Sequence, residues 1–444
     1  MRIAWFTHRY HPCIGGAETY GRAIVRRFVE AGHDVDVFTS DAHDLWYFNN
    51  PKRRKSDAPP VSEVDGAIVR RFAIRHYPFQ RYVGRLLSYV PHWPTQCRFA
   101  SYMPILPGIE RVRGDYDLVF AVGFPYTVFS YGAFKTAKAA KAPLILTPFL
   151  HLATPDDPYR KHYTRPHQIR LLGEADMVVV VTKLEADAVA EWGIPRSKIL
   201  TLSMALDHSE VTGGDPLSFR AKVGIPEGRG VVGHLATLDP NKGSNDLVRA
   251  VIRVNERRPA GDPVHLVMAG ASSPDFERFL AVMPGGIPPW LHLTGMLSTK
   301  EKADFFATLD VFSMPSRTDS FGIVFLEAWA NGLPVVAAAA GGVTEVVEHG
   351  KTGLLAPFGD VETIAGYLDD LISNPEKARS MGETGRTSVN TGHTWDDRYG
   401  TLLKRASELR PQHGEHPGWR ADRGESLRGL TGAETPRDQT FSSS

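Results

Sequence analysis

Two carboxylates flank a predicted strand-to-helix junction in the second half of the sequence. Asp319 precedes a helical run at 323–330, and Glu327 lies one turn inside that run. Ser320 is the predicted N-cap, because a serine side chain there accepts a hydrogen bond from the first turn. Free N–H groups at a helix start favour an anion. Here they belong to Phe321, Gly322, Ile323 and Val324. The geometry suits a phosphate ligand with hydroxyl groups, although an ordinary turn with solvated acids explains it equally well.

A lysine in a glycine-containing loop is the clearest cation for a phosphate. Lys242 precedes Gly243 and follows a predicted strand that contains His234. Its ammonium group acts as a point charge for phosphate oxygens. Gly16 follows the first predicted strand, and its lack of a Cβ allows close approach to the backbone. An exposed loop lysine and a simple tight turn stay open as alternatives.

Other chemistries find little support in the sequence. It has no zinc-type spacing and no Gly-x-Ser-x-Gly nucleophile turn. Two Asp-x-Asp triplets, at 34–36 and 115–117, lie at strand entries with an apolar central residue, so we predict no metal site. The full Gly-x-Gly-x-x-Gly fingerprint is also missing, which disfavours a dehydrogenase.

Short apolar runs alternate with helical segments along most of the chain. This alternation predicts parallel sheets with helices on both faces. The first series of predicted strands lies at 3–7, 35–39, 67–72, 118–122, 144–147, 177–181 and 199–202. A second series follows an irregular stretch at 207–227, with strands at 231–235, 265–269, 291–294, 311–314 and 335–339. The predicted fold class is therefore α/β, with two Rossmann-like domains.

Four segments follow from this pattern. We predict a first domain at 1–207, a second domain at 208–392, a helix at 393–409 that returns to the first domain, and a tail at 410–444. The tail is rich in Pro, Gly, Arg, Glu and Ser. We expect it to be disordered, because it has too few large apolar residues to offset the entropy of ordering.

Composition limits the partners and the compartment. Lys and Arg total 51 and Asp and Glu total 50, which gives no reason to expect nucleic acid as a partner. The 2 cysteines favour a reducing compartment. No signal peptide and no apolar run of about 20 residues are evident, so we expect a cytoplasmic protein that does not cross a membrane.

One basic stretch is set apart by its aromatic residues. No acidic residue occurs between Asp65 and Glu110, while arginines and aromatic side chains alternate from 70 to 98. A solvated helical excursion of the first domain is one interpretation. The other is a peripheral surface for anionic lipid headgroups or a lipid-linked acceptor, on the cytoplasmic membrane face.

The sequence resembles the retaining glycosyltransferases of family 4, which have the GT-B architecture of two Rossmann-like domains facing across a cleft. The matching motifs are Pro315-Ser316, Phe321-Gly322, Glu327-Ala328, Gly332-Leu333-Pro334-Val335-Val336, Gly341-Gly342, Gly350-Lys351-Thr352-Gly353-Leu354 and Lys242-Gly243. The likeness extends from residue 1 to about residue 409. Two positions depart from the family pattern. Asp319 replaces a glutamate, and His234 replaces an arginine.

The resemblance implies a role for the residues around the donor sugar. Asp319 and His151 would contact the sugar, and they are the predicted catalytic residues. A lone histidine is more often structural, but similar enzymes have a histidine at the position of His151, directly after the apolar run at 144–150. Lys242, with His234 in place of arginine, would hold the diphosphate. Asp156, Asp157 and Arg160 follow His151 in a loop for which an acceptor contact and an ordinary Asp-Pro turn both stay open.

The remaining donor contacts are also implied by the resemblance. Glu327 would bind the ribose, and Gly16 would approach the donor phosphate from the other domain. Backbone groups near Met296 would cradle the nucleobase. Phe321, Gly322, Ile323 and Val324 complete the expected donor site.

The implied reaction moves a hexosyl group from a UDP-sugar or GDP-sugar to a hydroxyl of a carbohydrate or lipid-linked acceptor, with retention. It would serve polysaccharide, glycolipid or glycoconjugate synthesis and need neither cofactor nor metal. Two alternatives stay open, a GT-B epimerase and a non-catalytic binder of sugar nucleotides. The substitutions at 234 and 319 are what keep the binder open.

Overall fold

The computed structural model describes residues 1–100, 104–154, 156–259, 261–392 and 394–409. The predicted disordered tail at 410–444 lies outside the described residues. Residues Met1–Leu409 belong to one compact unit. Two sheets organise this unit, and each is formed by one of the two series of strands that the sequence predicts.

The first sheet has eight strands in the order β3-β4-β2-β1-β5-β6-β7-β8. Their bounds are β1 (Arg2–Thr7), β2 (Asp34–Ser40), β3 (Val61–Val64), β4 (Ala67–Phe72), β5 (Leu118–Val122), β6 (Leu144–Thr147), β7 (Met177–Val180) and β8 (Ile199–Thr201). All pairings are parallel except β3 with β4. Strand β3 was not predicted, since its alternating burial gives only a weak apolar run.

Helices connect the parallel strands of this sheet. They are α1 (Gly16–Glu30), α2 (Gln80–Leu87), α3 (Trp93–Phe99), α4 (Thr127–Ala140), α5 (Pro166–Gly173) and α6 (Lys183–Glu191). Short 3₁₀ turns occur at Leu45–Phe48, Ile109–Arg111, Pro158–His162 and Arg196–Lys198. The central strand β1 is apolar throughout its interior because helices cover both faces of the sheet.

The second sheet has six parallel strands in the order β11-β10-β9-β12-β13-β14. The bounds are β9 (Val231–Leu235), β10 (His265–Ala269), β11 (Leu291–Gly295), β12 (Val311–Met314), β13 (Val335–Ala338) and β14 (Gly353–Ala356). Strand β14 was not predicted, because its four residues begin directly after a glycine-rich turn.

The helices of the second half are α7 (Pro216–Val223), α8 (Ser244–Glu256), α9 (Pro274–Ala281), α10 (Thr299–Thr308), α11 (Ile323–Ala330), α12 (Val343–Val346), α13 (Val361–Ser373), α14 (Pro375–Asn390) and α15 (Trp395–Glu408). Two 3₁₀ turns lie at His208–Glu210 and Pro240–Lys242. The prediction of an irregular stretch at 207–227 was wrong for α7. Pro216 at its first position and the Asp215 cap, which accepts from Leu217 and Ser218, start this helix.

The last helix, α15, packs on the first helix, α1. The Trp395 ring meets the Tyr20 ring at 5.9 Å between centroids, and Tyr399 meets Phe28 at 5.1 Å. Arg27 on α1 binds Asp396, and it also binds Asp207 on the segment that leads to the second sheet. The two segments that run between the sheets are therefore held side by side.

Each sheet has a point where the strand order reverses. In the second sheet this point lies between β9 and β12, which are neighbours in space but far apart in sequence. Connections from such a pair leave in opposite directions, and the crevice between them at the carboxyl ends is where open α/β sheets bind ligands. The loop containing Lys242 follows β9, and the turn containing Asp319 follows β12.

Candidate active site

An ion pair joins the two loops at the reversal point of the second sheet. The Lys242 Nζ atom lies 2.6 Å from Asp319 Oδ2. The loops approach so closely that a Cβ at Gly243 would lie 2.1 Å from the Pro315 carbonyl oxygen. Gly243 also has a φ of 73°, which favours glycine. The backbone thus places the predicted phosphate cation and the predicted sugar-binding acid together.

His151 reaches this ion pair from the first sheet. It follows β6, and its ring stacks on the Tyr163 ring with 4.9 Å between centroids. Burial lowers the pKa of His151 to about 4, and Lys242 adds to this effect, although Asp319 and a hydrogen bond with the Thr318 backbone oppose it. The imidazole is therefore neutral at neutral pH and suited to hydrogen bonding with a hydroxyl group.

Asp319 carries its charge in spite of its burial. Burial alone raises the pKa of Asp319, but Lys242 and His151 outweigh this effect and lower it below its usual value. The Asp319 Oδ1 atom also accepts a long hydrogen bond of 3.4 Å from the Phe321 N–H group. A negative carboxylate, a positive ammonium and a neutral imidazole thus meet between the two sheets.

Glu327 forms a second ion pair on the same side of the cleft. Its Oε1 atom lies 2.8 Å from Lys302 Nζ, and its side chain is buried. A shallow open cavity lies beside this pair. Its other walls include Arg22 and Arg26 of α1 and Trp395 of α15. Glu327 and Lys302 are therefore among the residues that line this cavity.

The start of α11 differs from the prediction. Gly322, not Ser320, is the N-cap residue, and it makes no side-chain capping bond. The prediction was wrong because Gly322 takes left-handed angles, with φ 82° and ψ 64°, two residues after the serine. Ile323 is the first helical residue, and a Cβ added to Gly16 would lie 3.8 Å from its side chain. Gly16 therefore faces the α11 start directly.

The structure does not support a direct phosphate contact from the His234 side chain. That side chain is fully buried, and both ring nitrogens are engaged. Nδ1 lies 2.8 Å from the Ser313 carbonyl oxygen, and Nε2 lies 3.0 Å from Ser244 Oγ. Burial lowers the pKa of His234 to about 4, so the ring carries no positive charge at neutral pH. His234 instead braces the loop that carries Lys242.

The other predicted donor contacts lie around these groups. Phe321 and Ile323 are buried, and Val324 is half-buried at the first turn of α11. Met296 is exposed directly after β11, which is the edge strand of the second sheet. The role predicted for Met296 near the nucleobase stays a prediction.

Sequence reasoning missed several partners of the predicted residues. Lys302 was not considered, because it lies 25 positions from Glu327 on a different helix. Arg317 binds Asp157 through two hydrogen bonds. Asp157, for which an acceptor contact was one interpretation, therefore faces the second domain. Thr318 accepts a hydrogen bond from the Ala153 N–H group at 3.0 Å. No local sequence signal marks these contacts, since each joins segments that are distant in the chain.

In the part of the chain that the structure describes, no group of three or more His, Cys, Asp or Glu side chains is arranged to hold a metal ion. No helix among the described residues has the length and apolarity needed to span a bilayer. That transfer proceeds without a metal or cofactor stays a prediction.

Comparison with known protein families identifies both halves. Residues 15–205 match the glycosyl transferase 4-like domain, and residues 217–388 match the glycosyl transferases group 1 model. A D-inositol 3-phosphate glycosyltransferase from Stackebrandtia nassauensis is 33% identical over 417 positions, covering 88% of each protein. The chain belongs to the family 4 glycosyltransferases. Its relatives are named as transferases, so the epimerase and the non-catalytic binder are not favoured.

Other relatives and solved structures agree with this family. A GDP-mannose-dependent phosphatidylinositol monomannoside mannosyltransferase from Mycobacterium tuberculosis is 35% identical over 170 residues, which cover 36% of this chain and 43% of that protein. Sucrose-phosphate synthase from Thermosynechococcus elongatus superposes with a TM-score of 0.68 at 18% identity, over 92% of this chain and 98% of that chain. Anabaena HepE, in complex with UDP and glucose, gives 0.66 at 19%, over 92% and 100%. The glycosyltransferase thus has the GT-B fold that the sequence predicts.

Proposed function

We propose that this glycosyltransferase moves a hexosyl group, with retention, from a UDP-sugar or GDP-sugar to a hydroxyl of a phosphorylated polyol of the inositol class. The observation that carries the proposal is the meeting of Lys242, Asp319 and His151 between the two sheets. The ammonium group would stabilise the charge on the leaving diphosphate. Asp319 and His151 would bind hydroxyls of the transferred sugar.

The reaction needs charge stabilisation more than a protein nucleophile. Preorganised cations and dipoles aimed at the developing charge lower a barrier most effectively where water is excluded. In a front-face transfer, the leaving phosphate oxygen takes the proton of the incoming hydroxyl while the C–O bond to the acceptor forms on the same face. Glu327 would hold the ribose diol from the cavity beside α11.

The acceptor class is supported by the names of the relatives and by two cations in the loop that follows His151. Relatives of this chain are named for inositol phosphate and phosphatidylinositol monomannoside acceptors. In this chain, the loop after His151 continues into a 3₁₀ turn that contains Arg160 and Lys161. Cations at this position suit a phosphate on the acceptor.

The direct test is a thermal-shift panel of UDP-sugars and GDP-sugars, followed by turnover of the hits with inositol phosphates and with phosphatidylinositol. We expect one nucleotide class to raise the melting temperature and to release its nucleoside diphosphate only when an acceptor is present. A Lys242→Ala variant should lose that release. Equal turnover by the variant would contradict the clamp, and no turnover on inositol phosphates or on phosphatidylinositol would contradict the acceptor class.

We further propose that the surface around α2 docks on anionic lipid. Phe79, Tyr82, Leu86 and Tyr89 are each at least 70% exposed. Such apolar exposure on one short segment is unusual for a surface that meets only water. Aromatic and basic side chains together favour the headgroup region of an anionic bilayer. This would bring the enzyme to a lipid-linked acceptor.

Co-sedimentation with vesicles tests the lipid surface. Wild-type protein should pellet with phosphatidylglycerol vesicles and not with phosphatidylcholine vesicles. Replacing Phe79, Tyr82 and Leu86 by serine should abolish pelleting, and the Arg75→Gln, Arg85→Gln variant should weaken it in a salt-dependent way. An Arg386→Gln variant, changed on the distant helix α14, is the matched control. Pelleting unaffected by all three serines would contradict this surface.

A further inference from the structure

Three consecutive residues of the 315–327 segment bind two different loops. The Arg317 guanidinium binds Asp157, the Thr318 hydroxyl oxygen accepts from the Ala153 N–H group, and Asp319 binds Lys242. The first two contacts cross from the second sheet to the loop after β6 in the first sheet. The third stays within the second sheet. Residues 317–319 therefore connect the predicted sugar-binding acid to the loop that carries His151.

The Arg317 contact has the geometry of a strong ion pair. Its Nε atom lies 2.6 Å from Asp157 Oδ2, and its Nη2 atom lies 2.7 Å from Oδ1. Paired N–H groups on both oxygens fix direction as well as distance. Arg317 is also tied to its own domain, because its N–H group donates to the Asn241 carbonyl oxygen at 2.8 Å. It thus links Asp157 to the residue before Lys242.

The loop that carries His151 has a backbone that needs such support. Phe149 and Ala153 have φ values of 50° and 48°, in the left-handed region that non-glycine residues avoid. Strained residues of this kind persist only where surrounding contacts hold them. The Glu185 carboxylate accepts from the Leu150 N–H group at 2.5 Å on one side of His151. On the other side, the support at Ala153 comes from Thr318 of the opposite domain.

We propose that Arg317 and Asp157 are positioning residues that hold the His151 loop against the Asp319 turn. This inference rests on the proposed roles of His151 and Asp319 at the donor sugar. The pair acts through these two residues and touches no reacting atom itself. Losing it would let the loop and the turn separate and admit water to the donor, which would favour hydrolysis of the sugar over transfer.

Hydrogen exchange tests the positioning without any turnover. We expect the Ala153 amide to exchange about tenfold faster in Arg317→Gln and in Asp157→Asn. Losing a charged hydrogen-bonded pair should make local opening of this loop more favourable by about that factor or more. The double variant should exchange no faster than either single variant, since both remove the same contact. Arg317→Lys should lie in between, because an ammonium group cannot donate in the paired geometry.

Turnover supplies the second readout. With UDP-glucose and GDP-mannose as the donors offered, the ratio of transfer to hydrolysis should fall about tenfold in Arg317→Gln, with a lower kcat and a similar KM for the donor. Arg196→Gln is the matched control, because Arg196 binds Asp187 at 2.7 Å on the surface of the first domain alone. It should change neither the ratio nor the exchange of Ala153.

The outcomes separate the two proposals. Wild-type protein that turns over neither donor would count against the proposed function, while the exchange data would still decide the positioning role. Unchanged Ala153 exchange in both single variants would overturn that role, as would additive effects in the double variant. A variant that melts well below the wild type is replaced by Arg317→Lys, for which the intermediate exchange remains the required result.

Discussion

Asp319 and Glu327 each pair with a lysine, but the surroundings of the two pairs differ. The Asp319 pair lies where both sheets meet, within reach of His151 and two cross-domain contacts. The Glu327 pair with Lys302 joins two helices of the second domain, α11 and α10, and borders an open cavity whose other walls include α1 and α15. Hydrogen bonds and ion pairs from both domains surround the Asp319 pair, whereas the partner of Glu327 belongs to its own domain.

We infer that the two pairs have different roles within the donor site. Groups that must meet a changing charge during transfer gain from being fixed by both domains, since preorganised charges need no rearrangement. A group that only binds an unchanging ribose can rely on one domain. We therefore expect changes at 319 to affect rate and changes at 327 to affect donor affinity.

The largest effect is expected at Asp319. Asp319→Ala removes the acid and leaves Lys242 without its partner, so kcat/KM should fall by about 10²–10³-fold, as for loss of one preorganised charge contact. Asp319→Glu restores the residue of the family pattern and should retain most activity. Steady-state kinetics on both variants checks this. If the alanine variant lost donor affinity alone, with kcat intact, the division between the two pairs would be wrong.

A smaller effect, on binding, is expected at Glu327. Glu327→Ala should weaken nucleoside diphosphate binding about 10–100-fold, because a hydrogen bond to a charged group contributes about 1.5–3 kcal/mol. The kcat at saturating donor should change little. Glu327→Gln keeps one acceptor oxygen and should lose less. Calorimetric titration with UDP and with GDP gives the affinities, and an unchanged dissociation constant in the alanine variant would remove the ribose role.

A substitution at His234 tests how the Lys242 loop is held in place, without changing the Glu327 pair. His234→Ala removes two buried hydrogen bonds and should lower the free energy of unfolding by about 2–3 kcal/mol. The Lys242 loop should loosen, while binding at Glu327 is retained. Urea unfolding measures the loss. The matched control is His265→Ala, since His265 is buried in the same sheet but pairs with His292 away from the site. A large loss of nucleotide affinity in the 234 variant without any loss in the free energy of unfolding would instead restore a direct contact.

The smallest effect concerns the titration of His151. Its pKa of about 4 lies below the usual 6.5, so the folded state binds fewer protons than the unfolded state between these values. Stability contributed by this group is therefore present above pH 6.5 and is lost as the pH falls toward 4. Lys242→Gln removes a positive neighbour and should raise the pKa of His151. Ring NMR titrations of both proteins check the shift, and a wild-type value near 6.5 would contradict it.

Much of the fold and part of the site follow from the sequence. The two series of strands can be recognised in the sequence because parallel strands buried on both faces are short apolar runs between helices. Lys242 and Asp319 were assigned to one donor site through the family resemblance, and the structure adds that both follow strands at the reversal point of one sheet. Their direct ion pair was not expected, because it depends on side-chain reach across 77 positions.

Other contacts lie beyond what local patterns encode. The Arg317 pair with Asp157 spans 160 positions, and its partner depends on how the two domains meet. The family pattern suggested a cation at 234, but burial of that ring is set by packing between β9 and β12. The substitution of arginine by histidine therefore signalled a changed role without revealing which one.

The packing of α15 on α1 has a consequence for biosynthesis. Trp395 is nearly fully buried against Tyr20, and Arg27 binds Asp396 across 369 positions. A ribosome adds roughly 5–20 residues per second, so the synthesis of α15 follows that of α1 by tens of seconds. During that time the nascent first half exposes an aromatic face. We expect chaperones to bind the nascent chain at this face.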